Sequence, residues 1–226
     1  MKECGRDYEV LVLDDASTDG MPEVLERYRR ALPMRVLTME RKIGYSAAVL
    51  RLLREALDRT GYPKRDVAVI LQADFTESPE DIVPMINAIE GGADVVAGSI
   101  KANGEPLPRS VRVARWMAPL LLGRTFRGAP VSDPLSGFRA YRLIVLKKAQ
   151  LNYRDSQVQT TDGWAANLEL LGMVTPHARR IVETPVSLRY DVQVRPSRFR
   201  TIRTLRGLLR VRGERWKIPE IEGKNL

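Results

Sequence analysis

YEVLVLDDASTDG, residues 8–20, is a short apolar run that stops on two adjacent carboxylates and then breaks into small polar residues and a glycine. Tyr8–Leu13 has the composition of a strand, and Asp14 and Asp15 fall at its carboxyl end. The pattern recurs downstream. Apolar runs at Met34–Met39, Val67–Leu71 and Asp94–Ser99 read as three further strands. Between them, Pro22–Leu32, Tyr45–Arg59 and Pro79–Glu90 read as helices. Val24, Leu25 and Tyr28 share one face of the first helix, and Ala48, Leu52, Leu53 and Leu57 form the stripe of the second. This alternation predicts an α/β domain with a doubly wound, mostly parallel sheet flanked by helices. Ligands of such sheets gather beyond the carboxyl ends of the strands.

After Ser99 the character changes. Lys101–Pro108 reads as a loop, and Arg109–Gly123 as a helical segment broken at Pro119. A helix is expected around Trp164–Leu171 and a strand pair near Arg180–Tyr190. With no repeat and no linker, residues 1–194 are expected to form one domain and residues 195–226 a basic amphipathic extension.

Composition narrows the chemistry. The 226 residues are 44% hydrophobic and 29% charged, which excludes a disordered chain. A single cysteine, Cys4, rules out an intrachain disulfide, and with a single histidine, His177, it removes the common Cys/His metal clusters. A divalent cation would need oxygen ligands, which suits Mg2+ or Mn2+. No apolar run approaches the ~20 residues of a membrane span, and the first residues lack a secretion signal's apolar core. The expected location is cytoplasmic, peripheral at the inner face of a membrane.

The net charge of +9 is local. Arg195 to Lys217 hold nine basic residues against one acid, Glu214, and so carry +8 of it. Phe199, Ile202, Leu205, Leu208, Leu209 and Val211 recur among them at helical spacing. A basic amphipathic helix suits a membrane surface, or it packs its leucines on the domain. No nucleic-acid-binding motif accompanies the charge.

Three polar clusters sit where ligands are expected. Asp14 and Asp15 can accept hydrogen bonds from a base or ribose, while Ser17 or Asp19 can alternatively cap the next helix. Gln72-Ala73-Asp74 ends the third strand, and a carboxylate there can hold a cation on a diphosphate. Ser78 and Pro79 then suit a helix start. In Asp133-Pro134-Leu135-Ser136-Gly137-Phe138-Arg139, the glycine permits close approach to a ligand and the arginine can clamp a phosphate.

The segments VLDDASTDG (12–20), ERKIGYSAAV (40–49), LQADFTESPEDI (71–82), ADVVAGS (93–99), DPLSGFRAYR (133–142) and RIVETPVSLR (180–189) occur in this order. Together they resemble family-2 glycosyltransferases of GT-A fold, in the dolichol- or polyprenyl-phosphate mannosyl/glucosyltransferase branch. The resemblance covers about Tyr8 to Arg198. It implies transfer of a hexosyl group from a nucleotide sugar to a polyprenyl phosphate with inversion, using a divalent cation. By the same resemblance Asp14 and Asp15, with Ser17, Asp19, Lys42, Gly44 and Gln72, line the donor pocket, and Asp74 is the catalytic metal ligand. Arg112, Arg115, Arg127, Asp133, Ser136, Gly137 and Arg139 would face the acceptor and its phosphate, with Trp164 and Glu169 beside them.

The chain departs from the family pattern in three places. Gln72 stands where a carboxylate is usual, which predicts weaker or altered metal dependence. The chain starts seven residues before what corresponds to the family's second strand: either the start is misassigned, or the sequence is a fragment, or the donor pocket is incomplete and the sheet loses a central strand. The basic tail stands where some relatives carry transmembrane helices. Two other readings stay open: a sugar-hydroxyl acceptor with Asp162 as base, or a non-catalytic membrane-associated scaffold. Asp162 also suits a helix N-cap. Trp116, Met117 and Leu120–Leu122 suit either an isoprenoid groove or the core.

Overall fold

The computed structural model describes residues 5–100, 107–153, 163–190 and 201–212. Strand β1 (Val10–Asp14) is followed by α1 (Met21–Arg29), β2 (Met34–Thr38), α2 (Tyr45–Arg59) and β3 (Val67–Ile70). A short 3-10 turn at Pro79–Asp81 leads into α3 (Ile82–Glu90) and β4 (Val95–Ile100). Next come α4 (Arg109–Leu122), α5 (Arg124–Arg127), β5 (Arg139–Arg142), α6 (Leu143–Tyr153), α7 (Gly163–Val174), β6 (Ile181–Val186) and α8 (Thr201–Arg210).

The α/β architecture expected from the alternation is present, with the strands divided between two sheets. β1 and β2 pair in parallel, from Val10 opposite Met34 to Asp14 opposite Thr38. The other four strands run in the order β3-β5-β4-β6. Within that sheet β4 and β6 are parallel, and β5 is antiparallel to both its neighbours. Among the described residues no ladder joins β1 to β3.

Period-two alternation builds the core. Val95, Ala97 and Tyr141 face one side, where α2, α6 and α7 contribute Leu53, Leu146 and Leu171. Val96 and Ala140 face the other, against Met85 and Ile89 of α3, with Phe138 and Val186. A third cluster joins α4, α7 and α8 through Ala118, Leu122, Leu168 and Leu208.

Local expectations differ from the structure in five places. α4 runs unbroken through Pro119. The ring removes one backbone donor, but Ala114, Ala118 and Leu122 on its buried face hold the helix against the domain. α6 carries no sequence signal strong enough to separate it from the preceding strand. The Arg180–Tyr190 region forms one strand and an isolated bridge from Leu188 to Glu77 instead of a strand pair. Neither Ser17 nor Asp19 caps α1, whose N-cap is Gly20 without a side-chain bond. Ser78 stands at the N-cap position of its turn, also without a side-chain bond.

Candidate active site

The carboxyl end of β1 is organised by its two aspartates. Asp14 is buried, and its Oδ1 accepts the Ser17 N–H at 3.1 Å, closing the turn. This corrects the expectation that Asp14 reaches a donor: its carboxylate shapes the loop. Asp15 crosses to the loop before α2 and accepts the Ile43 N–H at 2.7 Å and the Gly44 N–H at 3.1 Å. Gly44, at φ +83°, turns the chain into α2 through the left-handed region that favours glycine. Asp15 therefore places negative charge at the N-terminus of α2, where the helix dipole favours it. Ser17, Asp19 and Lys42 are exposed along the rim of the same two loops.

The loop after β3 is tightly tied. Asp74 Oδ1 accepts the Thr76 N–H at 3.0 Å and the Thr76 hydroxyl at 2.5 Å. Between them Phe75 takes φ +67°, an uncommon conformation for a bulky residue, and its ring is exposed. Strain of this kind persists only where neighbours fix it. Glu77 is one such neighbour: it is buried and accepts the Gln72 N–H at 2.7 Å. Burial pushes its carboxyl up to about 7; the Gln72 bond opposes this and the charge of Asp74 adds to it. No motif in the sequence singles out Glu77.

The segment after β6 closes over this loop. Arg189 N–H donates to the Thr76 carbonyl at 2.8 Å, and Ser187 N–H to Asp81 Oδ2 at 2.9 Å. Tyr190 then lies within the fields of Arg115, Asp74, Glu77 and Asp133. Its phenol is pushed up, first by burial and further by the three carboxylates, with Arg115 opposing. No local motif announces that Tyr190 comes near these charged groups. Arg115, on α4, pairs with the buried Asp133 and lies 5.7 Å from the Trp164 ring centroid.

The Ser136–Arg139 element is architectural. Arg139 is 1% exposed and donates to the Asn167 carbonyl at 2.5 Å and the Pro134 carbonyl at 2.7 Å. The expected phosphate clamp is thus a buried tie between the loop and α7. Gly137 is close-packed against protein: a Cβ there would lie 2.7 Å from the Tyr45 hydroxyl and 2.9 Å from Asn167 Nδ2. Tyr45 donates to Asn167 Oδ1 at 2.9 Å, and Asn167 Nδ2 to the Leu135 carbonyl at 2.9 Å. Asp133, expected at the acceptor, holds Arg115 and accepts the Leu135 N–H at 3.2 Å. Ser136 is half-buried beside it, and Arg112 and Arg127 are exposed. Asp162 lies outside the described residues.

The glycosyl transferase family 2 model matches residues 2–149, a span that includes Asp15, Asp74 and Arg115. The chain is 32% identical over 187 residues to polyprenol monophosphomannose synthase of Mycolicibacterium smegmatis, covering 79% of this chain and 65% of that protein. It is 30% identical over 158 residues to a Pyrococcus furiosus dolichol-phosphate mannosyltransferase, covering 66% of this chain and 41% of the relative. It is 31% identical over 183 residues to a Micrococcus luteus undecaprenyl-phosphate mannosyltransferase, covering 79% and 71%. The chain therefore spans about two thirds of the first relative and less than half of the second. Among solved structures, S. aureus TarS 1-349 superposes with a TM-score of 0.51 at 20% identity, over 81% of this chain and 53% of that one. Mannosyltransferase PcManGT from Pyrobaculum calidifontis, solved with GDP-Man and Mn2+, gives 0.50 at 16%, over 78% and 45%. These likenesses show the fold, the α/β arrangement of GT-A glycosyltransferases. With the carboxylate-bearing strand ends in place and the family model matched over more than half its length, this chain belongs to glycosyl transferase family 2.

Proposed function

We propose that this domain transfers a hexosyl group from a nucleotide sugar to a polyprenyl phosphate, with inversion, at the cytoplasmic face of a membrane. The observation that carries the reading is the alignment with three relatives all named for mannosyl transfer to a prenyl phosphate or synthesis of its product. The geometry supports it. A phosphate oxygen of the acceptor attacks the anomeric carbon, a new C–O bond forms, and the bond to the diphosphate breaks with its electron pair leaving on the nucleoside diphosphate. The acceptor is already an anion and needs no general base, so alignment and charge stabilisation dominate. Asp15 fixes the two loops that floor the donor pocket, with Ser17, Asp19 and Lys42 on the rim. Arg112 and Arg127 are exposed cations for the acceptor phosphate. Arg115 would exchange Asp133 for phosphate oxygens, which a guanidinium can take as a forked pair.

The Mn2+ bound by the Pyrobaculum neighbour motivates a divalent cation here. Among the described residues no three Asp, Glu, His or Cys side chains converge. Half-buried Asp74, with the Gln72 carboxamide near it in sequence, fits a cation whose oxygen shell the donor diphosphate completes. Bound there, the cation would neutralise charge on the departing diphosphate. No described helix is long and apolar enough to cross a membrane; the basic face of α8 supports attachment at its surface.

The test is nucleoside diphosphate release from a panel of nucleotide sugars with Mn2+, with and without polyprenyl phosphate in detergent. Release that requires the lipid phosphate, and falls about a hundredfold or more in Asp74→Asn, is the expected result. Release driven by sugar hydroxyls, or none from folded protein, would overturn it.

A further inference from the structure

The loop from Gln72 to Ser78 inverts the usual order of burial. Its polar residues Thr76, Glu77 and Ser78 are buried, while its one aromatic side chain, Phe75, is 65% exposed. Phe75 lies outside all three apolar clusters of the core. A single apolar side chain at the surface needs no explanation by itself. Here the backbone is forced to present it. Among the described residues only two that are not glycine take positive φ, Ala16 at 55° and Phe75 at 67°. Each directly follows a strand-end carboxylate, Asp15 or Asp74. For a bulky residue this is a costly conformation that an untied loop would relax.

The ties on both sides of Phe75 prevent that relaxation. Asp74 Oδ1 accepts the N–H and the hydroxyl of Thr76, and Glu77 accepts the Gln72 N–H. The Thr76 carbonyl accepts the Arg189 N–H, and a bridge joins Glu77 to Leu188. The Phe75 side chain thus leaves the loop from a backbone fixed against the Asp74 carboxylate. It offers an apolar ring one residue from the group read above as holding a cation on the donor diphosphate. What the diphosphate carries beside that charge is the hexose. A pyranose is polar around its rim, but its faces carry C–H groups, and their hydrogens match the negative face of a phenyl ring. An isoprene unit of the acceptor fits this place less well. It follows its own phosphate, and residues 71–82 contain no Lys or Arg to draw that phosphate, whereas α4 and α5 carry Arg112, Arg115 and Arg127.

We propose that Phe75 is the donor-sugar contact of this site: its ring takes a C–H face of the hexose and so sets the sugar beside the diphosphate. The proposal rests on the nucleotide-sugar reading and deepens it by naming the residue that tells the sugar-bearing nucleotide from the bare one. The exposure of the ring and the strain beneath it then have one cause. A ring that must meet a ligand cannot be spent on the core, and a backbone that must aim it cannot relax.

The experiment measures calorimetric binding to the whole chain, with Mn2+, of GDP-mannose and UDP-glucose and of GDP and UDP, which lack the sugar. Phe75→Ala should weaken whichever nucleotide sugar the unaltered chain prefers by about tenfold and leave the matching nucleoside diphosphate within about twofold. Phe75→Leu, apolar without a ring face, should weaken it by about threefold, and Phe75→Tyr should bind as the unaltered chain does. The side chain is exposed, and an unchanged thermal transition will verify folding. Equal weakening of the sugar-bearing and sugar-free nucleotides in Phe75→Ala would overturn the proposal, because the ring would then serve only the shape of the loop. So would unchanged binding of both. A raised KM for polyprenyl phosphate with donor binding intact would also overturn it, by placing the ring on the isoprene. Lipid-phosphate-dependent transfer in detergent is measured alongside. Its absence, with the sugar-selective loss present, would remove the lipid-acceptor reading alone; its presence without that loss would remove the Phe75 contact alone. An unaltered chain that binds none of the four nucleotides would remove both.

Discussion

Strands β1 and β4 have similar apolar sequences, VLVLD and VVAGSI, and opposite fates. Val10 to Leu13 are all half-buried, whereas Val95, Val96 and Ala97 are fully buried. Among the described strands β1 has one neighbour, β2, while β4 lies between β5 and β6 with helices over both faces. Helix α1, which accompanies the first pair, buries none of its residues. Strand composition thus states a capacity for burial; the number of neighbours decides how much is used. The molecule has a dense centre and a loosely covered N-terminal unit, and the loops that bear Asp15 and Lys42 are built on the loose part.

The widest expected contrast is in core truncation. Phe138→Ala, at a fully buried site, should cost about 3–5 kcal/mol in urea unfolding. Val36→Ala, in half-buried β2, should cost about 1 kcal/mol or less. Equal losses would break the comparison.

Next in size is a pH effect at the seam between the halves. Glu77 holds its proton to about 7 in the folded chain, against 4.5 ordinarily. The folded state therefore binds more protons across that window, so this group's effect on stability is most favourable below about 4.5 and worsens as pH rises to about 7. The full change is about 3 kcal/mol. Glu77→Gln keeps an acceptor for the Gln72 N–H and should flatten the profile, measured without divalent cation. A profile unchanged by the substitution would show that Glu77 is not held in a dry site.

A smaller effect sharpens the picture of the N-terminal unit. Asp15→Ala removes the acceptor of two main-chain donors and should cost about 1–2 kcal/mol. The Ile43 and Gly44 amides should then exchange faster in hydrogen exchange, while those of β4 stay protected. Loss of protection in β4 as well would mean that the two sheets unfold as one unit.

These differences also explain what could be read from sequence. α2 occupies Tyr45–Arg59, the span its apolar stripe predicts, and β3 lies within Val67–Leu71, because both signals are local. Pro119 misled because a helix-breaking ring was outweighed by Ala114, Ala118 and Leu122 packing on the domain. Arg139 misled for the opposite reason. An arginine near a glycine suits a phosphate equally well, and only the position of α7 shows that its two terminal nitrogens donate to Asn167 and Pro134. Glu77 and Tyr190 were invisible because Leu188 to Tyr190 return to Glu77 from more than a hundred positions away in the chain.

The place of β5 between β3 and β4 has a consequence during synthesis. When the ribosome has released the chain as far as Ile100, β1 and β2 can already pair, whereas Val95–Ile100 has no strand to accept it. Its first partner comes with Arg139–Arg142 and its second with Ile181–Val186. Until Arg139 emerges, the most deeply buried strand of the protein is thus without a partner, and pairings of such sequence separation form slowly. The nascent chain is most exposed to aggregation and to chaperone capture in the interval between Ile100 and Val186, which makes the emergence of β6 the event that commits the polypeptide to its native state.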